Sequence, residues 1–257
     1  MFRHQGKSRT IKHNLRIATV LSFVAGIVNV TGFLSFNELT TNVTGHFALF
    51  INDVAHFEFW RGTIYFLYIF SFLAGSFTSS LLIEKFKESK KLNIYVVPTI
   101  IEVLILSLIA FFSNILEFIQ TDVIACLLLF AMGLQNSYVT KISNAVVRTT
   151  HLTGLFTDLG IEISQLFFPK QYPDRKQLKG RIKLRLYIIS FFFTGGLVGG
   201  FLFSELNLKL NTLLFGAVVL IMSLFYDEFR YRYMLSVRKL RRAENRWKTH
   251  PINSKNK

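Results

Sequence analysis

The chain has 257 residues, of which 51% are hydrophobic and only 18% are charged, against roughly 25% charged residues in soluble domains. This composition excludes an ordinary soluble domain. A formal net charge of +15 would suit a nucleic-acid binder, but only if the basic residues formed one patch or stripe.

Six apolar blocks follow one another along the chain, each close to the roughly 20 residues that cross a membrane. Five contain no Asp, Glu, Lys or Arg, and the third contains only Glu102. The sequence therefore predicts an all-α integral membrane protein. The six transmembrane helices are predicted at residues 17–36, 62–83, 92–113, 123–140, 186–204 and 210–226.

The basic residues lie in alternate connecting segments, which together hold 28 of the 30 Lys and Arg residues. Cytoplasmic segments of membrane proteins are enriched in Lys and Arg, so both termini are predicted to be cytoplasmic. Because topology explains the basic excess, we expect no nucleic-acid partner. The abundance of Phe, Ile, Leu, Asn and Lys indicates AT-rich coding and so a bacterial cytoplasmic (inner) membrane.

A polar phrase occurs twice: TTNVTGHF at residues 40–47 returns as TTHLTGLF at residues 149–156, with five of eight positions identical. A Gly-x-x-Asn pattern precedes each copy, and small residues at 74–80 resemble those at 194–200. Each half would contain three spans, an odd number, so the halves would enter the membrane from opposite sides. The sequence therefore predicts an inverted-topology repeat, an arrangement found in secondary transporters.

The predicted organisation has four segments. Each repeat carries, after its first span, a semi-apolar stretch too short to cross the membrane, which favours a re-entrant or an interfacial helix. A capped surface helix and an element lining a substrate cavity are both left open. The segments are a basic cytoplasmic N-terminus at 1–16, three-helix repeats at 17–113 and 122–226, and a basic cytoplasmic tail at 227–257.

Each half contains a set of short motifs. They are Gly-x-x-Asn with Gly32-Phe33-Leu34 and Thr44-Gly45-His46 in the first half, and MGLQN at 132–136 with RTTHLTG at 148–154 in the second. In these motifs the chain resembles the YoaK-type family of bacterial membrane proteins. The resemblance extends over about residues 17–226. It implies a six-helix inner-membrane protein and no established activity. The chain departs from the family pattern at Asn29, where an acidic residue is usual, and at His46, where Asn is usual.

Polar residues inside the spans are the first candidates for a site, because they are costly in hydrocarbon. Asn29 and Asn136 occupy equivalent places, and Gln135 adds another amide. Either these amides form hydrogen bonds between helices or they coordinate a substrate or ion. Glu102 is predicted to act in a proton relay or as a paired or protonated structural group.

The repeat alignment places Asp53 opposite Glu162, and His56 follows Asp53 by one helical turn. Carboxylates at related positions, one beside a histidine, could couple protons or cations, or could form a solvated helix face. The complete hypothetical substrate or ion site is Asn29, Thr44, Gly45, His46, Asp53, His56, Glu102, Gln135, Asn136, Thr153, Gly154 and Glu162.

Small residues at helical spacing predict close helix packing, of the second and fifth spans with each other or with another helix. They are Gly75, Gly195, Gly196, Gly199 and Gly200. The tail mixes Arg and Lys with Tyr, Leu and Trp, which is typical of an amphipathic helix on anionic lipid.

The function favoured by these patterns is a small permease-like transporter of unknown substrate or ion, embedded in the lipid bilayer. The sequence contains no catalytic motif, and we expect no enzyme activity, cofactor or metal. The alternatives are a membrane scaffold or regulatory subunit acting through the tail and the glycine faces, and a lipid-modifying enzyme. A homo-oligomer is left open.

Overall fold

The computed structural model describes residues 11–86, 95–112, 121–143 and 145–249. These residues form eight α-helices and one short 3-10 turn, at Lys209–Asn211. The helices are α1 (Ile11–Phe36), α2 (Val43–Ala55), α3 (Phe59–Phe86), α4 (Val96–Phe111), α5 (Thr121–Ser143), α6 (Leu152–Gln165), α7 (Arg175–Ser204) and α8 (Thr212–Thr249).

Five stretches of these helices are long and apolar enough to cross a membrane, in α1, α3, α5, α7 and the start of α8. The predicted third span coincides with α4, which is apolar but has only 16 residues. Both ends of that predicted span, at residue 92 and residue 113, lie outside the described residues. The all-α membrane architecture is confirmed.

The helices extend beyond the predicted spans where the adjoining sequence can continue a helix. The fifth span was predicted to begin at residue 186, whereas α7 begins at Arg175. The carboxylate of Asp174 accepts a hydrogen bond from the backbone N–H of Gln177 (3.0 Å), which is an N-cap. This cap lets the charged turns before the apolar block join the helix.

Helices α1 and α5 form the centre of the bundle. In the most apolar stretches of both helices 61% of the residues are buried, compared with 22% in α3 and 17% in α7. Helix α1 packs mainly against α7, and α5 packs mainly against α3. Each central helix is therefore covered by one outer helix, whose other face is apolar and exposed.

Glycines set the distance between α1 and α7. A Cβ atom added at Gly26 would overlap the backbone carbonyl of Phe192, and one added at Gly195 would overlap that of Phe23. Gly199 lies against the Cα atom of Ile27, 3.1 Å from the position of an added Cβ. The two backbones can approach this closely only where side chains are absent.

The contact between α3 and α5 has the same form. A Cβ atom added at Gly75 would overlap the carbonyl of Phe130, and one added at Gly133 would overlap that of Phe72. The second and fifth spans thus do not pack mainly on each other; each packs on a central helix, which is one of the two arrangements predicted for their small residues.

The short helices lie on the outer ones: α2 packs against α3, and α6 packs against α7. Helix α4 packs against α5. Residues Met222 to Lys257 form a separate compact unit, whose described part is the helical stretch up to Thr249. The predicted tail is helical there, and its contact with anionic lipid stays a prediction.

Candidate functional site

Two polar segments follow the central helices. We call residues 37–58 the first joint and residues 145–174 the second joint; each contains the Thr-Thr pair of the repeated phrase, followed by a short helix. A left-handed backbone precedes each Thr-Thr pair, with φ of 63° at Asn37 and 62° at Ala145. Residues in this conformation cannot continue an α-helix, so both central helices end there.

The Thr-Thr pairs bind each joint to the Asn of the preceding Gly-x-x-Asn pattern. The hydroxyl of Thr41 donates to Oδ1 of Asn29 (2.7 Å). Nδ2 of Asn136 donates to the hydroxyl of Thr150, also at 2.7 Å. The two sequence motifs occur together because their side chains are hydrogen-bonded to each other across a turn.

Gln135 links the two halves. Its Nε2 donates to the carbonyl of Leu21 in α1 (3.0 Å) and to the hydroxyl of Thr149 (3.0 Å). The side chain is fully buried. Of the two roles predicted for this amide, the structure shows the hydrogen bond between helices.

The Thr-Gly pairs begin α2 and α6, but their threonines do not cap these helices. The cap of α2 is Asn42, whose side chain accepts a hydrogen bond from the N–H of Gly45 (3.1 Å). His151 stands at the same place before α6 and makes no side-chain hydrogen bond to the helix start. Thr44 and Thr153 are both exposed, and each lies inside its helix rather than at the N-cap position.

The first joint contains an acidic and aromatic cluster built by three helices and a loop. Nε2 of His46 donates to the carbonyl of Leu39 (2.9 Å), which leaves Nδ1 facing Oε2 of Glu38 at 3.6 Å. The hydroxyl of Tyr68 donates to Oδ1 of Asp122 at the start of α5 (2.6 Å). The imidazole ring also contacts the Tyr65 and Tyr68 rings, with centroids 6.1 and 5.1 Å away.

Burial, together with the smaller effect of the negative charge of Asp122, raises the pKa of Glu38 to about 7. Burial also lowers the pKa of His46, against the opposite effect of its bond to the Leu39 carbonyl. The imidazole therefore favours its neutral form while the neighbouring carboxyl retains a proton to near-neutral pH. A titratable pair thus lies beside the repeated phrase.

Asp53 and His56 do not form the predicted pair. Asp53 is 5% exposed and lies against Gly62 at the start of α3. Its Oδ1 accepts from Nδ2 of Asn52 (3.2 Å), and its Oδ2 has no hydrogen-bond partner among the described residues. His56, the C-cap residue of α2, is exposed, and its Nδ1 is hydrogen-bonded to the carbonyl of Asn52 (2.8 Å).

The second joint holds an ion-pair network around Glu162, which is 5% exposed. Nε of Arg181 donates to Oε1 (3.0 Å), while Nε and Nη2 of Arg185 donate to Oε2 and Oε1 (2.7 and 3.0 Å). Nη1 of Arg185 pairs with Asp158 (3.0 Å). Neither Asp53 nor Glu162 belongs to a solvated helix face, which was the alternative interpretation.

A pocket of about 430 Å³ opens beside this network. It lies between the second joint and α7, and no residue of the first joint lines it. Its polar lining consists of Arg148, His151, Asp158, Arg181 and Arg185, and Gly154 of the repeated phrase lies at its wall. This cavity is therefore not shared by both copies of the phrase.

Glu102 is fully buried in α4, and its Oε2 accepts a hydrogen bond from the hydroxyl of Tyr138 in α5 (2.9 Å). Its Oε1 has no hydrogen-bond partner among the described residues. The carboxyl is thus paired with a tyrosine, as its predicted structural role requires, and one oxygen atom stays unmatched. The proton-relay role stays a prediction.

The structure divides the predicted site into three places: the first joint, the second joint and the helix interior. Sequence reasoning missed Glu38, Asp122, Arg181 and Arg185. The spacing of 120 residues between Gly75 and Gly195 pairs Arg61 with Arg181 and so marks one of the arginines, whereas it pairs Arg185 with Tyr65. Among the described residues, no group of three His, Cys, Asp or Glu side chains could hold a metal ion.

Comparison with known proteins places this architecture in a family. The family model described as "Protein of unknown function (DUF1275)" matches residues 17–226. The chain belongs to this family. The UPF0700 transmembrane protein YoaK of Bacillus subtilis (strain 168) is 28% identical over 159 residues, which are 60% of this chain and 70% of that protein. No solved structure matches the chain.

The match confirms the resemblance to the YoaK-type family that the sequence motifs indicated. Its limits, residues 17 and 226, coincide with the first and last residues of the predicted six spans. Both joints belong to the matched region, and the basic tail at 227–257 lies outside it. The chain is a multi-pass membrane protein of this family.

Proposed function

We propose that this protein is a small permease-like transporter made of two inverted-topology repeats of three helices. In this arrangement the first joint lies on the outer side of a bacterial inner membrane, and the second joint lies on the cytoplasmic side with both termini. The protein alternates between a state open towards the first joint and a state open towards the second joint, and the substrate crosses the membrane during this exchange. Such exchange between related halves is a recurrent architecture of secondary transporters.

The observation that carries the proposal is the reciprocity of the glycine contacts. In the repeat, α5 corresponds to α1, and α7 corresponds to α3. Helix α1 packs on α7 through a pair of glycines facing phenylalanine carbonyls, and α5 packs on α3 through the pair at equivalent positions. A two-fold axis that exchanges the halves would convert each helix pair into the other.

The joints provide the second line of support. Equivalent Asn–Thr hydrogen bonds, equivalent short helices and equivalent buried carboxylates occur in both. Buried ionisable groups at the membrane boundary are costly and therefore mark function more often than groups in water. The titratable Glu38–His46 pair supplies a group that could exchange a proton near neutral pH.

A labelling experiment tests the inverted topology. In a Cys126→Ala background, which removes the one native thiol, Thr44→Cys and Thr153→Cys each place a thiol on an exposed joint residue. An impermeant maleimide added to intact cells should label Thr44→Cys, and should label Thr153→Cys only after permeabilisation. Labelling of both positions from the same side would overturn the inverted arrangement.

A transport assay tests the activity. Proteoliposomes are loaded with a panel of labelled sugars, amino acids, organic anions and monovalent cations, and efflux is compared with protein-free vesicles. We expect at least one solute to cross, and Glu162→Gln to abolish its passage while Lys179→Gln, an exposed residue of the same region, does not. Passage of no solute above the protein-free rate would contradict transport.

A membrane scaffold remains the second candidate, because the chain from Met222 to Lys257 forms a compact unit of its own. A scaffold requires a partner protein at this tail, and the tail composition also suits anionic lipid. Crosslinking from Ser236, an exposed residue of the tail, should then recover one partner in stoichiometric amount. Recovery of lipid without protein would favour the transporter.

A further inference from the structure

Four of the ten residues that line the pocket beside the second joint are charged, and three of these four are arginines. Its volume of about 430 Å³ falls within the range of small-molecule sites, roughly 300 to 1,000 Å³. An inorganic ion alone would fill only a small part of this space. The occupant that fits is a small organic molecule or the headgroup of a larger one.

The charges of the pocket favour an anion. Arg148, Arg181 and Arg185 line it, whereas the nearby carboxylates are Asp158 and Glu162, which leaves one cation in excess. In the part of the chain that the structure describes, the exposed guanidinium of Arg148 has no carboxylate partner. A charged donor held at a pocket wall without a counter-charge is suited to an anionic ligand.

The carboxylates hold the other two guanidinium groups in place. Glu162 binds Nε of Arg181, and within the described ranges the terminal nitrogens of that arginine form no hydrogen bond. A guanidinium has five N–H donors in a planar fork, so Arg181 keeps four for a ligand. Because Glu162 fixes the side chain, less rotamer entropy is lost when a ligand binds.

The beginning of α6 supplies the third group of donors. His151 and Gly154 form part of the pocket wall, and His151 does not cap the helix. The first backbone N–H groups of a helix have no partner within it, and they carry a partial positive charge. Gly154, in the first turn of α6, lines the same cavity as the arginines, and helix N-termini bind phosphate groups in other proteins.

We propose that this pocket binds a phosphate ester, with the phosphate group on Arg148, Arg181 and the start of α6. Donors from three separate elements approach from different directions, and a tetrahedral phosphate group, in a monoester or a diester, can accept from more directions than a planar carboxylate can. The remaining volume accepts a small polar group attached to the phosphate. This site goes beyond the proposed transport function and does not depend on it.

Two sources could supply this chemistry: a soluble phosphate ester, or the headgroup of an anionic phospholipid. Both present a phosphate joined to a small alcohol. Glycerol 3-phosphate is the probe for the first source. Phosphatidylglycerol, which carries the same glycerol phosphate unit, is the probe for the second.

The test uses the full chain in nanodiscs of phosphatidylcholine, titrated with glycerol 3-phosphate in a calorimeter. We expect saturable binding, weakened about tenfold by Arg148→Gln, which removes one charge-assisted contact. The matched control is Lys179→Gln, which removes the same charge from an exposed residue of α7 outside the pocket lining. It should change the affinity by less than about twofold.

The lipid arm uses native mass spectrometry of protein extracted from membranes containing phosphatidylglycerol. Retention of the lipid by wild type and Lys179→Gln, with loss in Arg148→Gln, identifies the headgroup as the ligand. Binding of glycerol 3-phosphate without lipid retention identifies a solute. The proposal is overturned if neither ligand binds, or if Arg148→Gln and Lys179→Gln behave alike, whatever the result of the transport assay.

Discussion

The first and second joints share a backbone plan and differ in charge. In both, a left-handed residue ends a central helix, a Thr-Thr pair bonds to an Asn side chain, and a short helix presents a buried carboxylate. The carboxylate of the second joint is held by two arginines, whereas that of the first has one oxygen without a hydrogen bond. The two joints therefore share a backbone scaffold, and the side chains around it give each joint its own chemistry.

The largest expected difference concerns the two carboxylates. Glu162→Gln leaves Arg181 and Arg185 without their shared counter-charge, which should reduce the free energy of unfolding by about 3 kcal/mol. This is near the lower end for a broken buried pair, because the Arg181 side chain is 42% exposed. Asp53→Asn should reduce the free energy of unfolding by less than about 1 kcal/mol, because no arginine among the described residues forms an ion pair with that carboxylate. Denaturant unfolding in detergent measures both.

The control for this pair is Asp158→Asn, which removes an Arg185 partner that is 51% exposed. We expect a loss of at most about 0.5 kcal/mol, as for other exposed ion pairs. Equal effects of Glu162→Gln and Asp53→Asn would contradict the difference between the joints.

The next prediction tests the equivalence of the two helix pairs. Gly75→Ala and Gly195→Ala each place a methyl group against a backbone carbonyl, which cannot move aside as a side chain can. Both should destabilise the protein by about 2 kcal/mol. Gly200→Ala is the matched control, because its added Cβ would lie 3.6 Å from the Val30 side chain, an ordinary contact. Unequal effects at Gly75 and Gly195 would show that the helix pairs differ.

A smaller effect should follow removal of the amides that hold the joints. Asn29→Ala and Asn136→Ala each eliminate a 2.7 Å hydrogen bond to a threonine hydroxyl. Hydrogen bonds between side chains in membrane proteins contribute about 0.6 to 1.7 kcal/mol, so we expect a loss of about 1 kcal/mol for each. Thermal unfolding with and without the matching threonine replaced by valine measures the coupling. Additive losses in the double variants would exclude the bond as the cause.

The smallest effect is a pH dependence confined to the first joint. The pKa of Glu38 is about 7 in the folded protein and 4.5 in a model peptide, so the folded state binds more protons between these values. Stability should therefore fall as the pH rises from about 4.5 to about 7. His46 has a lowered pKa and acts in the opposite sense, with stability lost as the pH falls through its usual value.

Comparison of wild type with Glu38→Gln isolates the contribution of this carboxyl. His46 from α2, Asp122 from α5, and Tyr65 and Tyr68 from α3 surround it in both proteins. The melting temperature difference between the two should change across pH 4.5 to 7 and level off above it. A difference that does not vary with pH would show that Glu38 does not titrate there.

Much of the fold could be predicted because its determinants are local. The apolar blocks marked the long helices, and the repeated phrase marked the beginnings of α2 and α6. The site was predicted less well, because its groups come together from distant positions. Glu162 was found from the phrase, whereas its partners Arg181 and Arg185 looked like ordinary basic residues before a span.

The sequence by itself determined that the chain crosses a membrane in several helices and that its two halves share a pattern. These properties depend on hydropathy and on residues within a few turns of one another. Only the tertiary structure decided that α1 packs on α7 and α5 on α3, and that the two joints carry different charges. Those features depend on contacts between residues far apart in the chain. The effect of a glycine or an arginine on such a contact depends on which residues of the other helix it touches.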